Sequence, residues 1–180
     1  MPPLIRFVPN LLSTIRLILA CGFAFVPEQL WVWLIIGSGS SDVLDGWIAR
    51  RWQVQSRMGA ILDGVADKLF ILVALLTVVA AGRFSLCWVL PLLARDLLVA
   101  FTAVYAAAIG SWQSFHKMEV RWPGKLATAG QFLLLLTVVL LPAGTHQVVL
   151  WFAILFSVGA AVDYGRLFVL ELRWREAKKS

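Results

Sequence analysis

Most of this chain is written in apolar runs long enough to cross a bilayer. Six follow one another at about residues 10–26, 31–50, 59–81, 86–109, 126–141 and 147–170, with short polar turns between them. A helix crosses the hydrocarbon core in about 20 residues, and a helix is one of the few structures that satisfy all their backbone groups there. Of the 180 residues 61% are hydrophobic and the mean hydropathy is +0.84, which excludes an ordinary soluble domain. The expected fold is all-α and integral to the membrane. It is a six-transmembrane-helix bundle forming one domain over 1–180, with a short Pro-rich interfacial segment at its N-terminus.

The net charge is +6. In a soluble chain that would suggest nucleic acid. Here the basic residues fall at helix ends and in short loops, so membrane lipids and phosphate-bearing substrates are the expected partners, with no nucleic acid. Cys21 and Cys87 lie far apart in apolar runs and read as small core or lipid-facing residues, not as a disulfide or metal pair. No signal-peptide pattern opens the chain, so the first span is expected to be retained. Six spans put both termini on one side. That side takes the basic tail, Arg50, Arg51, Arg57, Lys117, Arg121 and Lys125, while the opposite loops carry only Arg83. By the positive-inside rule the termini and the 42–67 region are cytoplasmic, as in a bacterial inner membrane protein.

Four aspartates break the apolar pattern. Asp42 and Asp45 are three residues apart and Asp63 and Asp67 four, so each pair shares a helix face. Gly46 and Ala49 share the face of the first pair, and Gly59 lies one turn before Asp63. An antiparallel pair of such helices would set four carboxylates around one small space. Charge at membrane depth is costly and marks a functional site by default. Four acids together repel unless cations neutralise them, and clustered carboxylates are hard oxygen ligands suited to Mg²⁺ or Mn²⁺. The plainer alternative is a polar helix pair that packs by internal hydrogen bonds.

Other charges carry two readings each. Arg16 interrupts the first span and either snorkels to the interface or contacts a phosphate or an acid of the site. Lys68 follows Asp67 directly, on a different side of the helix, and either snorkels or pairs with another acid. Arg95-Asp96 falls in the middle of the fourth span, as a structural pair or as a cationic floor for an anionic acceptor. The loop with His116, Lys117, Glu119, Arg121 and Lys125 either binds phosphate or is simply solvated. Asp163 and Arg166 lie three apart on one face, as for a local ion pair.

Written out, Asp42-x2-Asp45-Gly46-x2-Ala49-Arg50-x8-Gly59-x3-Asp63-x3-Asp67 resembles the full signature of the CDP-alcohol phosphatidyltransferase family. The run Pro9-Asn10-Leu11-Leu12-Ser13-Thr14-Ile15-Arg16 is similar to the P-N-x-L-T-x-x-R opening of many members, with Ser13 where Thr is usual. The resemblance implies that a CDP-linked lipid, CDP-diacylglycerol, gives its phosphatidyl group to the hydroxyl of a small polar or lipid alcohol, releasing CMP. Carried over by position, Asp42, Asp45 and Asp63 would hold two divalent ions. Asp67 would touch a metal and serve as general base. Gly46, Ala49 and Gly59 would let the CDP moiety approach the backbone, with Arg50 supporting the nucleotide phosphates or the acids. Family resemblance also suggests a homodimer, which the small-residue faces permit.

For the acceptor, Ala94-Arg95-Asp96 looks like the A-R-E segment of the branch that uses sn-glycerol 3-phosphate. Gly124-Lys125-Leu126-Ala127-Thr128-Ala129-Gly130-Gln131 looks like that branch's G-K-x-K-T-x-x-Q segment, and Asp163-Tyr164 suits it too. The chain departs at Ala127, where a second lysine is usual, at Asp96 for Glu, and at Gly64 for a frequent Pro. The missing lysine keeps phosphatidylglycerol open as the acceptor, then serine or inositol (phosphate). Arg95, Lys125 and Arg121 are the candidate holders of the acceptor phosphate. Two readings of other classes remain beside the enzyme: a cation transporter, and a scaffold without catalysis.

Overall fold

The computed structural model describes residues 8–52, 57–108, 122–142 and 144–179. Six α-helices occupy them: α1 (Val8–Phe23), α2 (Trp31–Trp52), α3 (Arg57–Ala80), α4 (Val89–Ala108), α5 (Trp122–Leu140) and α6 (Gln147–Lys179). No strand occurs among the described residues. Each helix falls on one expected apolar run. The differences are at the ends. α5 begins about one turn earlier than its apolar pattern, because Pro123 is well suited to a first helical turn, where its missing N–H costs nothing. α6 runs on through the polar tail to Lys179 and reaches 33 residues. The expected interfacial segment and the loop with His116, Lys117, Glu119 and Arg121 lie outside the described residues.

The turn after α3 has a definite chemistry. Gly82 takes φ +71°, the left-handed region that costs glycine least. Its N–H donates to the Val79 carbonyl at 2.9 Å, and that of Arg83 to Val78 at 3.2 Å. These two bonds close the helix end in a Schellman motif. Arg83 then reaches Glu28, in the turn before α2, at 2.6 Å, and the Val139 carbonyl at 3.3 Å.

The chain divides into two compact units. The first holds α1, α2, α3 and the C-terminal end of α5. Within it α1 packs against both α3 and α2, which over the described residues touch each other far less. Phe23 is the hub: it stacks on Trp31 at 5.7 Å and meets Phe70 edge-on at 5.6 Å. Ala20, Ile35, Ala66, Ile71 and Ala74 of the same unit are also buried. The second unit holds α4, most of α5, and α6. There α4 and α6 pack along Leu92, Ala153, Ala160 and Tyr164, all buried, with Trp88 edge-on to Trp151 at 5.3 Å.

Two helical stretches, Leu86–Tyr105 and Gln147–Glu171, are long and apolar enough to cross a membrane. α2 and α3 have 22 and 24 residues but carry four charged residues each. Large apolar side chains also face outward in both units, among them Leu11, Ile18, Trp33, Phe101, Trp151 and Leu155.

Candidate active site

The acids of the first unit meet on an arginine. Arg16 lies in the middle of α1 with its side chain fully buried, at 0% exposure. Its Nη1 lies 2.8 Å from Asp63 Oδ1 on α3 and 3.2 Å from Asp42 Oδ1 on α2. Its Nε and Nη2 donate to Ser41 Oγ at 3.3 and 3.2 Å, and Ser41 donates in turn to the Ser38 carbonyl at 3.1 Å. One turn earlier on α1, Ser13 Oγ donates to Asp63 Oδ1 at 3.3 Å. Asp42 and Asp63 keep side-chain exposures of 37% and 35%, so a further ligand has access to both.

Asp67 sits one turn beyond Asp63 and is buried at 7% exposure. Its Oδ2 accepts from Lys68 Nζ at 3.1 Å, and its Oδ1 has no hydrogen-bond partner. Both Asp67 and Lys68 lie within Coulombic range of Asp42. Lys68 therefore does pair with an acid, its own neighbour, because a long flexible arm bends back across the ~100° that separates adjacent residues on a helix. Asp45, Gly46, Ala49 and Arg50 lie along α2, but their side chains are outside the described set. Gly59 lies in the first turn of α3. Among the described residues, no three His, Cys, Asp or Glu side chains form a metal-holding group.

The expected arrangement, α2 packed directly on α3, is thus modified. α1 lies against both, and it does so with the counter-charge that two acid-bearing helices need. Arg16 was ambiguous in the sequence and is the residue that the acid pattern alone misses. Two signals point to it: an arginine set within an apolar run, and its place at the end of the Pro9–Arg16 opening.

The second unit holds a separate buried polar network. Arg95 Nη1 contacts Asp96 Oδ1 at 3.0 Å and donates to Thr128 Oγ1 at 3.1 Å. Gln131 Nε2 donates to Asp96 Oδ2 at 2.8 Å and to the Leu92 carbonyl at 2.7 Å. Ser157 Oγ donates to the same carbonyl at 2.7 Å. The structural reading of Arg95-Asp96 is therefore present: the pair ties α4 to α5. Three polar atoms of the network stay without a partner, Arg95 Nε, Gln131 Oε1 and Tyr164 Oη. The Arg95 guanidinium lies 5.7 Å from the Tyr164 ring centre, within cation–π range. Both side chains press on Gly124, where an added Cβ would sit 2.7 Å from Arg95 Nη2 and from Tyr164 Oη. Lys125 follows, exposed in the first turn of α5, while Ala127, which replaces a lysine of the resembled segment, is fully buried. Arg121 lies outside the described residues.

Comparison with known proteins gives a consistent result. The family model for CDP-alcohol phosphatidyltransferase matches residues 6–159. A CDP-diacylglycerol–glycerol-3-phosphate 3-phosphatidyltransferase of Yersinia enterocolitica is 28% identical, covering 94% of this chain and 96% of the relative. Proteins of the same name from Sodalis glossinidius and Pectobacterium atrosepticum are 31% and 32% identical, over 75% and 71% of this chain and 78% and 74% of theirs.

Proposed function

Because this chain belongs to the CDP-alcohol phosphatidyltransferase family, we propose that it transfers a phosphatidyl group from CDP-diacylglycerol to sn-glycerol 3-phosphate, releasing CMP, as a step of phospholipid biosynthesis. The observation that carries the reading is the acid group of the first unit. Two of its carboxylates share one buried guanidinium, and a third keeps a buried oxygen, Asp67 Oδ1, without a donor. The names of the relatives favour glycerol phosphate as acceptor.

A buried carboxylate oxygen without a partner is costly, and a hard divalent cation is a partner it accepts. The donor set therefore fits Mg²⁺ or Mn²⁺. Held by Asp42, Asp45, Asp63 and Asp67, two such ions would supply positive charge to the pyrophosphate and to the oxygens where charge develops. Asp67, whose Oδ2 accepts from Lys68, takes the acceptor's hydroxyl proton. The acceptor oxygen then bonds to the phosphatidyl phosphorus, the bond to the CMP oxygen breaks, and CMP leaves with that electron pair. Gly46, Ala49 and Gly59 give the CDP moiety close approach to the backbone, and Arg50 supports its phosphates. Arg95, Lys125 and Arg121 hold the acceptor phosphate.

In the same reading all six helices cross the membrane. The charges that set α2 and α3 apart are those of the site itself. The acids face the cytoplasm, where a soluble nucleotide and acceptor meet a lipid donor.

The test is CMP release by purified protein in detergent with CDP-diacylglycerol and Mg²⁺, one acceptor at a time. The acceptors are sn-glycerol 3-phosphate, phosphatidylglycerol, serine, inositol and inositol phosphate, with Asp67→Asn as control. Release with glycerol phosphate, lost in the variant, supports both the reaction and the base. Release with another acceptor alone keeps the site and overturns the substrate. No release from folded protein overturns the reading and returns weight to a transporter or scaffold.

A further inference from the structure

The acid pattern belongs to α2 and α3, yet these helices scarcely touch over the described residues, and each packs on α1 instead. One side chain of α1, Arg16, joins Asp42 of α2 to Asp63 of α3. Arg16 holds α2 at two successive residues, Ser41 and Asp42, and holds α3 at Asp63. All three guanidinium nitrogens are engaged, and Nη1 touches both Asp42 and Asp63. With 0% of the side chain exposed, Arg16 has no surface to offer a substrate.

We infer that Arg16 is a positioning residue: by clamping Asp42 and Asp63 with one nitrogen, it sets the register at which the acids of α2 and α3 face one another. This extends the function proposed above and rests on it only for its effect on turnover. The physical argument is the shape of the group. A guanidinium presents donors in a rigid planar fork that can bond several acceptors at fixed angles, whereas a lysine ammonium is a point charge on a flexible stem. Two carboxylates brought together without a counter-ion repel, so the brace also removes the repulsion that would splay α2 from α3 before any cation binds. Ser41 completes it by fixing Nε and Nη2, which leaves Nη1 aimed at the acids.

The test uses full-length protein in detergent, with Cys21 and Cys87 replaced by serine and spin labels at Val43→Cys on α2 and Val65→Cys on α3. Both positions are exposed. Double electron–electron resonance on chelator-treated protein reads the α2–α3 spacing without metal or substrate. Mn²⁺ binding is read by electron paramagnetic resonance on unlabelled protein. A narrow distance distribution is expected with Arg16 and a broad one with Arg16→Gln. Mn²⁺ affinity and kcat should each fall about 10–100-fold, the range for groups that orient metal ligands, with KM for CDP-diacylglycerol unchanged. Arg16→Lys, which keeps the charge and loses the fork, should recover part of both. If Arg16→Gln does not fold, Arg16→Lys and Ser41→Ala read the same quantities, with a smaller change in the same direction. An unchanged distance distribution overturns the inference. So does tighter Mn²⁺ binding in Arg16→Gln, since Arg16 would then only oppose the cation. A wild type with the narrow spacing but no CMP release overturns the proposed function and leaves the brace standing.

Discussion

At the scale of single residues, the two units solve the problem of buried charge differently. Arg95 and Asp96 pair with each other and are held further by Thr128 and Gln131. Asp67 is left half-satisfied, with Lys68 on one oxygen and nothing on the other. In the proposed reaction that open oxygen is available to a cation or to the acceptor's proton. Asp67→Asn is expected to keep the fold and to lower CMP release by about 10²–10⁴-fold, the usual contribution of a positioned base. Mg²⁺ at about 100 times its Kd should stabilise the wild type by about 2.7 kcal/mol. The variant should gain much less, which thermal unfolding in detergent with and without the ion will measure. Gly124 makes the complementary case. Its hydrogen leaves space that Arg95 and Tyr164 fill, and Arg95 is pinned by Thr128 and Asp96. Gly124→Ala must displace one of them, which at about 1–3 kcal/mol for an overpacked site should appear as a lower unfolding temperature.

At the scale of elements, the helices were legible because bilayer-length apolar runs admit few alternatives, and Gly82 closes α3 with a positive φ. Gly82→Ala forces a side chain into that region and should cost about 1 kcal/mol of stability, read from the same unfolding curves. The acid pairs were equally legible, since a spacing of three or four residues fixes a helical face. What the spacing left undetermined is the partner of each face. Nothing in the pattern of α2 and α3 says that α1 lies against both, because a helix that is apolar almost all round can pack on any side. Arg16 decides it, and a lone arginine has two readings until its contacts are known. Gln131 is a similar case on α5. The resemblance marks the position, but only the structure shows that its amide joins the Leu92 carbonyl to Asp96. Gln131→Leu keeps the bulk and removes both bonds. It should destabilise by about 1–3 kcal/mol, the cost of leaving such groups unsatisfied.

For the whole molecule, the outward apolar side chains of both units and the two bilayer-length apolar helices point to a lipid environment. Orientation within it is a question of charge. Along α3, Asp63 lies near the start, ~26 Å from the last helical residue, Ala80, at 1.5 Å per residue, and Arg83 follows that end. The Arg83–Glu28 pair is exposed on both sides, so it adds little stability, but it marks the far end of the first unit from the acids. Basic residues flank the acid end: Arg50 and Arg51 close α2 and Arg57 opens α3. Lys and Arg are retained on the cytoplasmic side, so the acid end should face inward and the Arg83 turn outward. Single cysteines at Arg57→Cys and Ser85→Cys, with Cys21 and Cys87 replaced by serine, test this directly. A membrane-impermeant thiol reagent should label position 85 from outside in intact cells, and position 57 only after the inner face is opened. Labelling of position 57 from outside would reverse the topology. The proposed reaction would then fail on supply, because the acids would face away from the cytoplasmic nucleotide donor. The orientation is therefore a necessary condition of the chemistry as well as a consequence of the charge pattern.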